Sequence, residues 1–104
     1  MKKILILITV VLSFSINAET TKEKMEYCGN LATLAKSTME TRQAGATLTS
    51  QLKALDNIKT SKDIYEIFSY IIIKSYDYPK FNGEKYKKET VNEYENKILK
   101  ECLK

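Results

Sequence analysis

The feature that most constrains this chain is its pair of cysteines, Cys28 and Cys102, which lie near the two ends of the sequence that follows an apolar leader. No other cysteine is present, so only one internal disulfide can form. Small exported domains use disulfides to supplement a small hydrophobic core. This bridge closes most of the exported chain into one loop, which in the chain-entropy model stabilises the fold by roughly 4.5 kcal/mol.

Other uses of these cysteines fit the sequence less well. Redox enzymes usually hold two cysteines close together as Cys-x-x-Cys. The chain has no histidine, and two cysteines alone cannot complete a tetrahedral zinc shell. The lack of histidine also removes the usual general base, and no Gly-rich phosphate loop or Gly-x-Ser-x-Gly motif is present. We therefore expect that the protein binds no metal and no cofactor, has no catalytic residues and is not an enzyme.

Residues 1–18 have the layout of a secretory signal, with two early lysines, an apolar stretch and a small, polar end. Ala18 fits the last position before the cut, so cleavage is predicted between Ala18 and Glu19. The apolar stretch, 4–16, is shorter than the roughly 20 residues that a membrane-spanning helix needs. The sequence therefore predicts a cleaved signal peptide at 1–18 and a single helical domain at 19–104. The expected location is the periplasm, with secretion to the exterior as the alternative.

The net charge of the cleaved chain is small. The full sequence carries 17 Lys+Arg and 13 Asp+Glu, a net charge of +4, and the signal peptide removes Lys2 and Lys3 but no acid. A net charge of +2 remains, and its lysines are mixed with acids along the chain. Nucleic-acid binders usually show a clustered basic surface. We therefore expect no nucleic-acid partner and no membrane contact after cleavage.

The exported part has helical periodicity nearly throughout. Thr20 and Glu23 form a capping box before the first helix, and Gly45 ends that helix. Thr49 is a plausible cap of the second helix, and Pro79 stops the third. Four helices are predicted, at residues 22–44, 50–59, 61 or 62 to 77, and 84–103. Their apolar faces contain Met25, Cys28, Ala32, Ala35 and Met39, then Leu48, Leu52 and Leu55, then Ile64, Ile67, Phe68, Ile71 and Ile72, and finally Val91, Tyr94, Ile98 and Cys102.

Helices joined by short loops pack most simply up and down. The sequence therefore predicts an all-α fold, a small three- to four-helix up-down bundle stapled by one disulfide. This topology places the start of the first helix beside the end of the fourth, where Cys28 and Cys102 lie. It also places the ends of the first and third helices together at the opposite pole.

Arg42 is the only arginine of the chain, and it continues the apolar face one turn past Met39. A guanidinium at a core-facing position needs an anion or several carbonyls, because a lone buried charge is costly. The opposite pole offers Asp77 and the free carbonyls at the end of the third helix. This internal partner favours a structural role, and binding of a ligand carboxylate or phosphate is the alternative.

Two groups of residues are candidates for partner contacts. Aromatic residues crowd the same pole as Arg42, and rings with polar tips are common both at recognition surfaces and around packed turns. The predicted partner-binding patch is Arg42, Tyr76, Tyr78, Phe81 and Tyr86. Tyr70 and Ile73 lie away from the main apolar face of the third helix, among charged residues, and are candidates for a homodimer contact, although single exposed apolar residues are ordinary.

Four short segments resemble a group of small exported proteins found in proteobacteria and their phages or prophages. The segments are residues 28–32 (CGNLA), 39–45 (METRQAG), 72–79 (IIKSYDYP) and 94–96 (YEN), with Cys102. The resemblance implies that Cys28 and Cys102 are paired and that Arg42, Gln43, Gly45, Tyr76 and Pro79 are recurring turn residues. Ser75 and Tyr94 depart from the alanine and phenylalanine expected there. No activity is assigned to the group.

These observations together predict a small periplasmic non-enzymatic binding protein, with an inhibitor or immunity-type partner of an envelope protein as the leading form. The expected partner is another envelope protein. A periplasmic stress or chaperone-like protein that exposes its apolar faces is the first alternative. A hydrolase that works through carboxylates is the second alternative, because acids are plentiful in the chain.

Overall fold

The computed structural model describes the backbone of residues 2–104 and the side chains of residues 21–104. The described chain forms four helices and no strand: α1 (Lys2–Gln43), α2 (Leu48–Asp56), α3 (Lys62–Ser75) and α4 (Glu84–Leu103). The predicted all-α fold is confirmed. The predicted signal peptide, residues 1–18, lies outside the residues whose side chains are described.

The disulfide joins α1 to α4. Cys28 and Cys102 are bonded, with their Cα atoms 5.5 Å apart. Beyond the bridge, the Lys24 ammonium donates a hydrogen bond to the carbonyl of Lys104 at 3.2 Å. Residues 24–28 of α1 therefore lie beside the end of α4, and these two helices run antiparallel, as the up-down topology predicts.

The core lies between α1, α3 and α4, while α2 packs on the flank of α3. Residues from all three long helices form the buried cluster: Ala35, Met39, Ile71, Val91, Tyr94 and Ile98. The predicted apolar face of α4 is confirmed. Met25 was expected in the core but is 58% exposed, because α4 ends at Leu103 and leaves no helix to cover the turn of α1 that precedes Cys28.

The helix boundaries differ from the predicted ones mainly in α1 and α2. α1 begins at Lys2 rather than residue 22, so Thr20 lies inside the helix and does not cap it. No proline, which would remove a backbone donor from the helix interior, is present in residues 2–43. α2 begins two residues earlier than expected, because Thr47 rather than Thr49 accepts the hydrogen bond of the Ser50 amide.

The remaining helix ends follow their sequence signals. The Ser61 hydroxyl accepts from the Ile64 amide at 3.3 Å and caps α3. α3 ends at Ser75, two residues before the predicted end and four before Pro79. Gly45 has a φ of +106°, a conformation that side chains rarely adopt, and it ends α1 as predicted. In the part of the chain that the structure describes, no helix is long and apolar enough to span a bilayer.

Candidate functional site at the loop pole

The loop pole is the end of the bundle where the α3–α4 loop, residues 76–83, meets the end of α1. Gln43, which is 2% exposed, holds this loop in place. Its amide nitrogen donates to the Pro79 carbonyl at 2.8 Å, and its amide oxygen accepts from the Phe81 N–H at 2.8 Å. Backbone groups outside helices need such partners when they are removed from water. One side chain of α1 therefore fixes the path of the loop on both sides of Lys80.

Arg42 lies beside Gln43 and is half-buried. Its Nη2 atom donates to the Tyr78 carbonyl at 3.3 Å, and its guanidinium carbon lies 4.7 Å from the centre of the Tyr76 ring. Its Nε atom is buried without a hydrogen-bond partner among the described residues. The carboxylate of Asp77, which the sequence offered as a partner, instead lies 3.7 Å from the Lys74 ammonium. Arg42 thus contacts a loop carbonyl and an aromatic face.

Tyr76 connects the end of α3 to the α1–α2 turn. Its hydroxyl donates to the Ala46 carbonyl at 2.7 Å and accepts from the side-chain amide of Gln51 at 2.8 Å. Both partners precede it in the chain by at least 25 residues, so this hydroxyl joins three elements. Tyr76 was predicted as a partner-binding residue, but its hydroxyl makes both of these hydrogen bonds within the chain.

Tyr78 packs inward against Tyr94. The two ring centres are 5.3 Å apart and the ring planes meet at 67°, an edge-to-face arrangement that stabilises aromatic pairs. The ammonium of Lys97, a residue of α4, lies 5.8 Å from the centre of the Tyr78 ring. Tyr78 is half-buried. Most of its ring surface is therefore used for packing beneath the loop.

Tyr94 is fully buried, and its hydroxyl donates a hydrogen bond to the carbonyl of Ile71. Burial is the main cause that raises the pKa of Tyr94 well above its usual range. Ser75 is also fully buried, and its hydroxyl donates to the Ile72 carbonyl at 2.6 Å. The two positions that depart from the resemblance pattern are thus polar groups whose hydroxyls bond to carbonyls of α3.

Phe81 and Tyr86, the remaining residues of the predicted patch, lie side by side. Their ring centres are 5.8 Å apart, with an angle of 33° between the planes. Phe81 is half-buried, whereas Tyr86 is 56% exposed. A Cβ atom on Gly83 would lie 3.4 Å from Cδ2 of Tyr86, so this ring also packs against the backbone of the loop. We call Phe81 and Tyr86 the aromatic pair.

A groove of about 450 Å³ lies between α1 and α4 at this end of the molecule. Gln43 and Val91 lie among its buried lining residues. Its other lining residues are Lys36, Glu40, Ala44, Glu84, Lys87, Lys88 and Asn92. The groove carries both signs of charge, and the described side chains place none of its charged groups within 4.0 Å of an opposite charge.

The five residues predicted as a partner-binding patch therefore divide into two groups. The side chains of Arg42, Tyr76 and Tyr78 contact other parts of the chain, while Tyr86 is largely exposed and lies against the half-buried Phe81. The resemblance implied only that Gln43 is a turn residue, and its central position was not predicted. Its place four residues after Met39 on the buried stripe of α1 was the available signal, because residues i and i+4 share a helix face.

Metal binding has no geometric support in the described part of the chain, where no three His, Cys, Asp or Glu side chains are close enough to share an ion.

Away from the loop pole, the Tyr65 hydroxyl donates to the Asp56 carboxylate at 2.6 Å, and this hydrogen bond raises the pKa of Tyr65. No protein-family model, curated protein or solved structure matches this chain.

Proposed function

We propose that the chain is a small, non-enzymatic periplasmic binding protein that captures another envelope protein through the aromatic pair. An inhibitor or immunity-type protein is the form that we favour. One observation carries the proposal: Phe81 of the aromatic pair lies on a loop whose backbone is fixed by the buried amide of Gln43, and its partner Tyr86 follows in the first turn of α4. The frame that supports this loop is closed at its other end by the disulfide.

A surface fixed in this way suits protein recognition. Binding costs free energy whenever flexible loops and side chains must become ordered, and a preformed surface avoids much of that cost. Tyrosine is enriched among the few residues that dominate binding energy, because it combines a large apolar ring with a polar tip. Tyr86 already packs on Phe81 while leaving 56% of its surface for a partner. Both properties support a recognition role for the aromatic pair.

The proposal is tested by affinity capture from periplasmic extract with the oxidised protein as bait. Tyr86→Ala removes an exposed ring from the aromatic pair, and we expect at least a tenfold loss of captured partner, since truncating a dominant interface residue costs about 2 kcal/mol or more. Tyr27→Ala is the matched control, because Tyr27 is 51% exposed on α1 near the disulfide. Equal capture by both variants, or no capture by the wild type, would contradict the proposal.

The proposed location follows from the disulfide. Disulfides persist in oxidising compartments such as the periplasm and are rare in the cytosol. Cys28 and Cys102 are bonded, and the described residues contain no free cysteine. The test is fractionation of the producing cell followed by alkylation without reduction. Unmodified cysteines in the periplasmic fraction support this location, and a cytosolic protein with two alkylated thiols contradicts it.

A second candidate function, a stress or chaperone-like protein, is favoured by an apolar groove near the disulfide. This groove measures about 310 Å³, and its apolar lining includes Tyr27, Leu31, Ile67, Tyr70 and Ile98. An apolar surface of this kind can hold exposed segments of unfolded proteins. Suppression of the aggregation of a reduced client protein tests this role. Suppression that is lost in Tyr27→Ala and kept in Tyr86→Ala would favour it over the aromatic pair.

A further inference from the structure

Asn82 and Gly83 join the α3–α4 loop to α4, and both residues are exposed. Gly83 is the N-cap of α4, and no side chain forms a capping hydrogen bond at this helix end. An asparagine that precedes glycine can react within its own chain, because the backbone nitrogen of the glycine can reach the side-chain amide carbon of the asparagine. Glycine has no Cβ atom to hinder that approach. The pair is therefore a candidate for covalent modification.

Neither of the two reacting groups is held by a hydrogen bond. Among the described residues, the side-chain amide of Asn82 has no hydrogen-bond partner, and the N–H of Gly83 donates to no acceptor. A bonded N–H has to break its hydrogen bond before it can lose its proton and attack, which costs free energy. The Gly83 nitrogen can therefore react without any rearrangement of the hydrogen bonds around it.

The other asparagines of the described side chains differ from Asn82 in both respects. Asn57 precedes Ile58, whose N–H donates to the Leu55 carbonyl at 3.0 Å. Three more lie inside helices, where the N–H of the next residue belongs to the helical hydrogen-bond ladder. They are Asn30, Asn92 and Asn96. Asn82 is the only asparagine of the whole sequence that precedes a glycine. Motif and geometry thus select the same residue.

We propose that Asn82 is a self-modification site, where the chain converts its own asparagine to isoaspartate and aspartate and so alters the aromatic pair. The Gly83 nitrogen loses its proton to base and bonds to Cγ of Asn82. The Cγ–Nδ2 bond breaks, and the side-chain nitrogen takes up a proton and leaves as ammonia. Water then opens the cyclic imide. Attack at Cγ restores the normal backbone as aspartate, while attack at the backbone carbonyl carbon leaves the chain joined through the side chain, as isoaspartate.

Both products change the loop pole, and isoaspartate changes it more. Each adds a carboxylate directly before α4, where the helix N-terminus favours negative charge. Isoaspartate also lengthens the backbone by a methylene carbon between Phe81 and Tyr86, whose ring centres are 5.8 Å apart. The Phe81 N–H is held by Gln43 on the other side of this link. We therefore expect the extra length to displace the two rings from each other.

The experiment is incubation of the oxidised protein in mildly alkaline buffer, followed by digestion and mass spectrometry of the peptides. We expect Asn82 to be converted faster than Asn57 by about tenfold or more, which corresponds to a barrier lower by about 1.4 kcal/mol. The rate should rise with pH, because the Gly83 nitrogen must lose its proton before it attacks. Both isoaspartate and aspartate should form.

Gly83→Ala is the matched variant, because it keeps Asn82 and adds only a Cβ atom after the reacting nitrogen. The backbone of Gly83, with φ −86° and ψ 136°, is accessible to alanine. The added Cβ would lie 3.4 Å from Cδ2 of Tyr86, and far-ultraviolet circular dichroism checks that the variant is folded. We expect conversion at Asn82 to slow by about tenfold or more.

Two results would overturn the modification site: conversion of Asn82 no faster than that of Asn57, or a Gly83→Ala variant that converts as fast as the wild type. The effect on the aromatic pair is measured by nuclear Overhauser contacts between the rings of Phe81 and Tyr86. These should weaken in the isoaspartate form and persist in Asn82→Asp, which adds the charge without lengthening the backbone. Equal ring contacts in both would overturn the effect on the aromatic pair.

Discussion

The two ends of the bundle are held together in different ways. At the disulfide end, a covalent bond joins α1 to α4, and the residues beyond it, such as Met25, are exposed. At the loop pole, Gln43, Arg42 and Tyr76 join α1, α2 and the α3–α4 loop through side-chain hydrogen bonds. A covalent bond determines that two helix ends lie together, but it does not determine the shape of the surface around them. Polar contacts to loop backbone determine that shape, which is why the candidate interaction site lies at the loop pole.

Breaking the disulfide is expected to have the largest effect. Reduction, or Cys28→Ser together with Cys102→Ser, should lower the free energy of unfolding by about 4 kcal/mol, because the unbridged unfolded chain gains conformational entropy. Urea unfolding with and without reductant measures the change. A loss below about 1 kcal/mol would show that packing alone determines the position of α1 against α4.

Tyr78→Ala and Tyr86→Ala test whether the two tyrosines of the loop pole contribute differently to stability. Tyr78 packs edge-on against buried Tyr94, so its truncation should lower the free energy of unfolding by about 2 kcal/mol. Tyr86 is largely exposed, so its truncation should change stability by less than about 0.5 kcal/mol. Urea unfolding of both variants makes the comparison. Equal losses would show that the aromatic pair is part of the core rather than a presented surface.

Gln43→Ala tests the polar contacts that fix the loop. This substitution removes the donor to the Pro79 carbonyl and the acceptor of the Phe81 N–H, and should cost about 2 kcal/mol. Amide hydrogen exchange should also become much faster at Phe81. Gln51→Ala is the matched control, because Gln51 bonds to Tyr76 but makes no contact with the loop backbone of residues 79–81. Unchanged exchange at Phe81 would contradict the role of Gln43.

Among the substitutions that remove a buried contact, Tyr94→Phe is expected to have the smallest effect at neutral pH. It removes one buried hydroxyl with its hydrogen bond to Ile71 and should cost about 1 kcal/mol. The pKa of Tyr94 is raised above the ordinary value of 10.0, so the folded protein holds this proton more tightly than the unfolded chain. The contribution is complete below pH 10 and is lost as pH rises toward the raised pKa.

The measurement for Tyr94 is urea unfolding between pH 7 and pH 11. The wild type should lose stability above about pH 10, while Tyr94→Phe should lose less over the same interval, because it has no buried phenol to ionise. Identical pH profiles would show that Tyr94 does not control the alkaline stability of the fold. The other tyrosines are unchanged in both proteins and serve as the internal reference.

Most of the fold follows from local patterns in the sequence. The stripe of Val91, Tyr94 and Ile98 in α4 was recognised by its spacing and is buried. The end of α1 at Gly45 and the cap of α3 at Ser61 also follow from local chemistry. The start of α2 did not, because Thr47 and Thr49 are equivalent as caps in sequence. Only the path of the chain after Gly45 decides which of the two hydroxyls caps the helix, and it is that of Thr47.

The candidate site followed from the sequence only in part. Arg42 and Gln43 lie three and four residues after Met39, so helical periodicity places both near the buried stripe and cannot choose between them. The structure buries the shorter amide, which bonds to the loop backbone, and leaves the longer guanidinium across the Tyr76 ring. The same limit applies to Tyr78 and Tyr86, whose different exposures depend on how the loop folds over Tyr94.

The sequence by itself determined the helical class, the order of the four helices and the disulfide, because periodicity is a local property and two cysteines in an oxidising compartment allow one pairing. The tertiary structure alone decided which polar and aromatic residues are buried at the loop pole and which face outward. The reason is physical: residues of α1 meet a loop more than 30 residues away in sequence, and no local pattern specifies which side chain reaches its backbone.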